Sequence, residues 1–129
     1  MIVGLGVDVV ELDRIEKALE RHGERFLERI LTTAERVLMS KRPKSPVPFL
    51  AARFAAKEAA AKALGVGFRN GLSHREIEVT NGAQGEPSMH FSGAAEARAE
   101  ALGVVRARVS LTHGQDVAVA VVVLETLAS

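Results

Sequence analysis

The chain opens on a run in which nearly every position is apolar. Over residues 1–10, Ile2, Val3, Leu5, Val7, Val9 and Val10 carry the hydrophobicity, with Gly4 and Gly6 between them, a pattern that predicts a strand. Glycine weakens a strand interior, so two of them point to a place where another backbone or a ligand comes close. Asp8 interrupts the run. From Glu11 to about residue 31 the period becomes helical: Leu12, Ile15, Leu19, Phe26 and Ile30 share a face, with a break near His22-Gly23. Thr32 or Thr33 caps a second short helix with Glu35 in its first turn. Residues 41–48 hold three prolines and read as a loop. Residues 49–64, rich in Ala, Lys, Glu and Leu, form the best helix of the chain, with Gly65 as its C-terminal cap and a glycine-containing loop over 66–73. Residues 77–80 and 87–91 read as two short strands joined through Asn81-Gly82 and Gly85, which suggests a hairpin. Another helix is expected over 94–102. Residues 104–112 alternate, with Val105, Ala107, Val109 and Leu111 on one side; 113–116 is a turn and 117–124 a nearly continuous apolar strand. The expected architecture is α+β, an antiparallel β-sheet with helices packed on it, in a single domain over 1–129.

Composition narrows this only modestly. With 129 residues, 47% hydrophobic and 26% charged, the chain suits one globular domain rather than a disordered segment. Five Phe and no Trp or Tyr leave the core to Val, Leu, Ile and Ala, and the absence of cysteine excludes disulfides and thiol chemistry. The apolar run 117–124 is far too short to cross a membrane. Residues 1–10 lack a basic leader and run into an acidic segment, so no secretory signal is expected and a cytoplasmic protein is. A net charge of +1 gives no global sign of nucleic acid. Locally, Arg36, Lys41, Arg42, Lys44, Arg53, Lys57 and Lys62 face only Glu35 and Glu58 in one stretch. That excess suggests an anionic partner; a solvated surface is the other reading.

Three places could do chemistry. Asp8, a carboxylate in an apolar strand, is costly to bury unless compensated; it is either a metal ligand or a partly exposed acid. In the helix, Arg53 and Lys57 are four apart and share a face, as do Glu58 and Lys62 on the adjacent stripe. The cations suit phosphates, and Glu58 with Asp8 would suffice for Mg²⁺, which usually takes one or two protein carboxylates. The competing reading is an ordinary alanine-rich helix with Glu–Lys pairs. Ser110-Leu111-Thr112-His113 ends a strand at a tight turn, where His113 either meets a ligand or simply satisfies the turn. The four histidines show no zinc spacing, and the serine-hydrolase elbow and the glycine fingerprints for nucleotide phosphates are absent.

Together these segments resemble the holo-(acyl carrier protein) synthase family of 4'-phosphopantetheinyl transferases. The stretch Gly4-Leu5-Gly6-Val7-Asp8 with Glu11 and Arg14 downstream is similar to the family's opening, and Arg53-Phe54-Ala55-Ala56-Lys57-Glu58-Ala59, with Lys62, Ala63 and Gly65, to its second motif. Arg29-Ile30-Leu31-Thr32 with Glu35 fits an intervening block, and Ser110 to His113 the closing one, with Thr112 where the family often has Ser. The resemblance implies Mg²⁺ held by Asp8 and Glu58, and catalytic roles for Asp8, Glu58 and Lys62. It implies coenzyme A contacts from Arg53, Lys57, Lys62, Lys44 and Gly65, with Ser110, Thr112 and His113 around the adenine end. Arg14 matches a position facing the acyl carrier protein. A homotrimer with active sites at subunit interfaces also follows from it, while the charge balance and the short apolar run leave no nucleic-acid or membrane partner expected. A non-catalytic coenzyme A or nucleotide binder is the alternative. A nucleic-acid module is the weaker rival, because the basic stretch lacks interleaved aromatics.

Overall fold

The computed structural model describes residues 1–42 and 44–127. Strand β1 (Ile2–Glu11) pairs antiparallel with β5 (Val117–Glu125), which pairs antiparallel with β4 (Arg106–His113), giving the order β1-β5-β4. Strands β2 (Ile77–Asn81) and β3 (Pro87–Phe91) form a separate two-stranded hairpin. The expected sheet is therefore split in two, and all of its pairings are antiparallel. Val105, expected on one side of this strand with Ala107, Val109 and Leu111, is 59% exposed and precedes the strand proper, which begins at Arg106.

Helices α1 (Leu12–His22) and α2 (Glu24–Ile30) are separated at Gly23, whose φ of 53° is readily open only to glycine. Helix α3 (Thr33–Ser40) starts with a capping box: Thr32 Oγ1 accepts from Glu35 N–H, and the Glu35 carboxylate accepts from Thr32 N–H. Helix α4 (Val47–Leu64) begins two residues before the expected position, since Pro48 sits in its first turn, where proline lacks no needed donor. Gly65 closes it in the left-handed conformation, φ 73°. Helix α5 (Gly93–Ala101) covers the hairpin side.

Helix α4 is the axis of the molecule. Fifteen of its eighteen residues are buried, as expected of a helix with apolar residues all round it. One side lies on β1 and β5, the other against β2. Contact with β1 is backbone-close: a Cβ on Gly4 or Gly6 would overlap the carbonyl oxygens of Ala63 and Ala59. The close approach that two strand glycines announced is thus made by a helix, with alanines on the facing side.

Strand alternation divides the three-stranded sheet. Gly6, Asp8 and Val10 face inward with Ala118, Ala120, Val122 and Leu124. On the outer face Leu5, Val7 and Val9 are 67%, 53% and 60% exposed. They lie opposite Val123, Val121 and Val119, with Arg108, Ser110 and Thr112 continuing the row on β4.

Candidate active site

The sequence-predicted residues gather at two places along α4. Glu58, Lys62 and Gly65 follow one another at near-helical spacing and share a face. With Phe68, Arg69 and Asn70 they line an open cavity of about 570 Å³ beyond the C-terminal half of the helix. Asp8 adjoins it: its Oδ1 accepts from Lys62 Nζ at 3.0 Å, and the same ammonium donates to the Val7 carbonyl at 3.1 Å. The Asp8 side chain is 17% exposed and that of Lys62 59%, so the acid in the first strand is neither orphaned nor fully in water. Glu58 is half-buried, with Oε2 3.7 Å from His74 Nε2.

The second place lies at the N-terminal half of α4. Arg53, Lys44, Thr112 and His113 line a cavity of about 540 Å³ together with Arg42 and Asn81. Arg53 is nearly buried. Its Nη2 donates to Asn81 Oδ1 at 2.7 Å, and its guanidinium lies over the Phe49 ring at 4.3 Å, with Arg42 over the same ring at 5.1 Å. Burial holds the Arg53 pKa below its ordinary value; Glu35 opposes that shift and Arg42 adds to it. Its Nε is buried without a hydrogen-bond partner among the described residues. A buried donor left unpaired is costly, and an anionic oxygen entering the cavity is a natural acceptor for it. Arg53 and Glu58, five residues apart, point about 140° apart around the helix, which is why one chain does not bring the two sets together.

Two of the predicted coenzyme A contacts stand elsewhere. Lys57 shares a face with Arg53 as the spacing predicted, but that face points into the protein. The side chain is fully buried, and Nζ donates to Glu35 Oε1 at 2.7 Å and to the His74 carbonyl at 2.9 Å. Glu35 also accepts from the N–H of Val79 at 2.8 Å. Desolvation lowers the Lys57 pKa against the pull of Glu35. Lys57 therefore joins α3, α4 and β2, and as a phosphate contact it is corrected to a buried structural cation. Ser110 stands on the outer face of the sheet opposite Val121, not among the residues lining the Arg53 cavity.

Arg14 is exposed on α1, its guanidinium 5.5 Å from the centre of the Phe54 ring. It lines a surface groove with Lys17, Arg21 and His22. Sequence reasoning missed His74, whose ring stacks on Phe68 and Phe54 beside Glu58. It placed Arg42 only within a basic stretch and Asn81 only in a hairpin turn, without joining either to Arg53. The signal for all three is a contact across the fold, invisible in local spacing.

A half-buried carboxylate one helical turn from a lysine that is itself anchored to a second carboxylate can hold a hard cation and balance phosphate charge. A basic, aromatic-floored cavity beside it on the same helix can take a further phosphate. The chain belongs to the 4'-phosphopantetheinyl transferase superfamily, whose family model it matches over residues 4–122. Among its relatives is the holo-[acyl-carrier-protein] synthase of Maridesulfovibrio salexigens, 54% identical over 97% of this chain and 99% of the relative. The crystal structure of the Neisseria meningitidis holo-[acyl-carrier-protein] synthase superposes with a TM-score of 0.89 at 40% identity, covering 98% of this chain and all of that one. The Bacillus anthracis enzyme, solved in complex with CoA (3',5'-ADP), superposes with a TM-score of 0.81 at 41% identity, covering 98% of both chains.

Proposed function

We propose that this chain transfers the 4'-phosphopantetheine group of coenzyme A to a serine of an apo acyl carrier protein, releasing adenosine 3',5'-bisphosphate. It acts as one domain over 1–129, a reading supported by its continuous core, in the cytoplasm, with neither membrane nor nucleic acid as partner. The observation that carries the activity is the arrangement around Lys62: its ammonium bridges to Asp8, one turn from Glu58, at the edge of an open cavity.

Two hard carboxylates are the donor set on offer: Asp8, which accepts from Lys62, and Glu58, which lines the same cavity as Lys62. That set fits Mg²⁺, which accepts one or two protein carboxylates and fills its octahedron with phosphate oxygens and water. Asp8 and Glu58 would hold it, and bound there it would neutralise pyrophosphate charge. Lys62 Nζ supplies fixed positive charge where the leaving phosphate becomes more anionic. Glu58 is the candidate acceptor of the serine hydroxyl proton, directly or through a water. Arg53 and Lys44 bind the adenosine phosphate end of coenzyme A beside Thr112 and His113, and Arg14 faces the carrier protein.

A ligand as long as coenzyme A needs both cavities, and the two sets diverge on one chain. The proposal therefore includes a homotrimer in which the Asp8–Glu58–Lys62 set of one subunit meets the Arg53–His113 set of its neighbour. The exposed Leu5, Val7, Val9 and Val121 row supports such an assembly, because contiguous apolar surface of this kind marks association sites.

Intact-mass spectrometry of an apo carrier protein incubated with this chain, coenzyme A and Mg²⁺, with a parallel sample in chelator, tests the activity. The expected result is a gain of one phosphopantetheine, absent with chelator. No gain with several carrier proteins, despite measurable coenzyme A binding, would make the chain a non-catalytic binder.

A further inference from the structure

His74 lies in a short 3-10 turn (His74–Glu76) that leads into β2. Its ring lies almost parallel to Phe68, centroids 3.7 Å apart and planes 8° apart, and to Phe54, centroids 5.5 Å apart and planes 17° apart. Its carbonyl is gripped by Lys57 Nζ, one residue before Glu58 on α4. Backbone and ring are thus both fixed relative to the helix that carries Glu58. Yet Nε2 is buried without a hydrogen-bond partner among the described residues. A buried ring nitrogen without a partner calls for a reason, and Glu58 Oε2 lies 3.7 Å away. That is longer than a hydrogen bond, but active-site hydrogen bonds commonly tighten when the reacting complex assembles. Glu58, its side chain 29% exposed, makes no hydrogen bond among the described residues and borders an open cavity.

We propose that His74 is a positioning residue for Glu58. With a proton on Nε2, the ring donates to Oε2 and holds that oxygen still, leaving Oε1 for the cation or the serine proton. The inference rests on the reading of Glu58 given above. Carboxylates that ligate metals are generally held by such an outer hydrogen bond, and losing one typically costs 10- to 100-fold in metal affinity or activity. The two phenylalanines matter because a donor on a mobile ring would orient nothing.

The test separates the donor from the ring. His74→Phe keeps a flat ring for the stack and removes the donor. His74→Gln and His74→Met both lose the ring and match in length, but only Gln can donate. Two quantities are read for each variant. One is the dissociation constant of Mn²⁺, by electron paramagnetic resonance, with coenzyme A present and no carrier protein. The other is kcat and KM for carrier modification with Mg²⁺. The expected result is Mn²⁺ binding about 10-fold weaker in His74→Phe than in the parent, and several-fold weaker in His74→Met than in His74→Gln. The loss in turnover should fall on kcat, with KM for the carrier unchanged. Parent-like Mn²⁺ binding and kcat in His74→Phe, or identical values for Gln and Met, would overturn the inference and leave the transferase reading intact. A parent that neither binds Mn²⁺ with coenzyme A nor modifies a carrier would overturn both.

Discussion

Asp8 and Gly6 sit two positions apart on the inner side of β1 and answer to different demands. Gly6 is fixed by packing: a methyl group there would overlap the Ala59 carbonyl oxygen, which belongs to the helix backbone and cannot swing aside. Gly6→Ala should therefore cost about 1–3 kcal/mol or more by forcing α4 off the sheet, read from the urea midpoint of unfolding. Asp8 is fixed by charge. Its ion pair is made to a lysine that is 59% exposed, and such pairs contribute about 1 kcal/mol or less. Asp8→Ala and Glu58→Ala should thus melt near the parent while transfer falls at least about 100-fold, the scale on which removing one electrostatic stabiliser acts. Near-normal rates in either variant across a magnesium titration would remove that residue from the cation site. Two readings of Asp8 were open in the sequence because burial of a strand residue depends on what lies across from it. Lys62, 54 positions away, was visible in the sequence, but the direction of its side chain was not.

At the scale of elements the same limit appears in α4. Its start was missed by two residues, at the proline of the first turn. Its C-terminal bound at Gly65 and the shared face of Arg53 and Lys57 were legible, because helix period and capping are local. Which way that face looks was not, since it depends on where the hairpin packs. A lysine that spacing put on the Arg53 face, and that the family resemblance made a phosphate contact, is the cation of a buried pair with Glu35, which itself began as a recognisable first-turn acid of α3. The same local rules found every strand but missed the split of the sheet, because pairing is non-local. The buried pair makes a sharp prediction. Lys57→Met strands the Glu35 carboxylate among Val79, Thr32 and the core, and should cost about 3–5 kcal/mol. Adding Glu35→Gln should recover part of that loss, so the cycle is non-additive. Losses that simply add would mean that the two side chains do not act as a pair. The pH dependence has a definite sign. Burial lowers the folded-state pKa of Lys57 below its ordinary 10.5. Between the two values the unfolded chain holds more protons at this site, so its contribution to stability rises with pH through that window. Chemical unfolding followed into the alkaline range should show this rise in the parent and not in Lys57→Met.

For the whole molecule, the proposed reading requires that two cavities on divergent faces of one helix serve one long substrate. A bend of α4 would disturb its close approach to β1, where Gly4 and Gly6 leave no room for a Cβ beside the carbonyl oxygens of Ala63 and Ala59. Rotation of Arg53 alone would abandon Asn81 and the Phe49 ring. Association costs neither, and the outer face of the sheet, with valines and a leucine where a lone soluble domain would carry polar groups, is the surface free to make it. In a closed ring of identical subunits every interface is the same and heterologous, so each would join one carboxylate set to one arginine set. That geometry predicts complementation. Glu58→Ala spoils one half-site and Arg53→Met the other, the latter keeping an apolar stem over Phe49, and each homo-oligomer should be inactive. When the two are unfolded together and reassembled at equal amounts, random mixing places an intact carboxylate set against an intact arginine set at about one interface in four, so about a quarter of the parent rate should return. Val7→Glu, which buries a charge at the apolar face, should instead give monomers by sedimentation and abolish transfer while the chain still melts cooperatively. Activity in that monomer, or no recovery in the mixed oligomers, would mean that each chain builds its site alone.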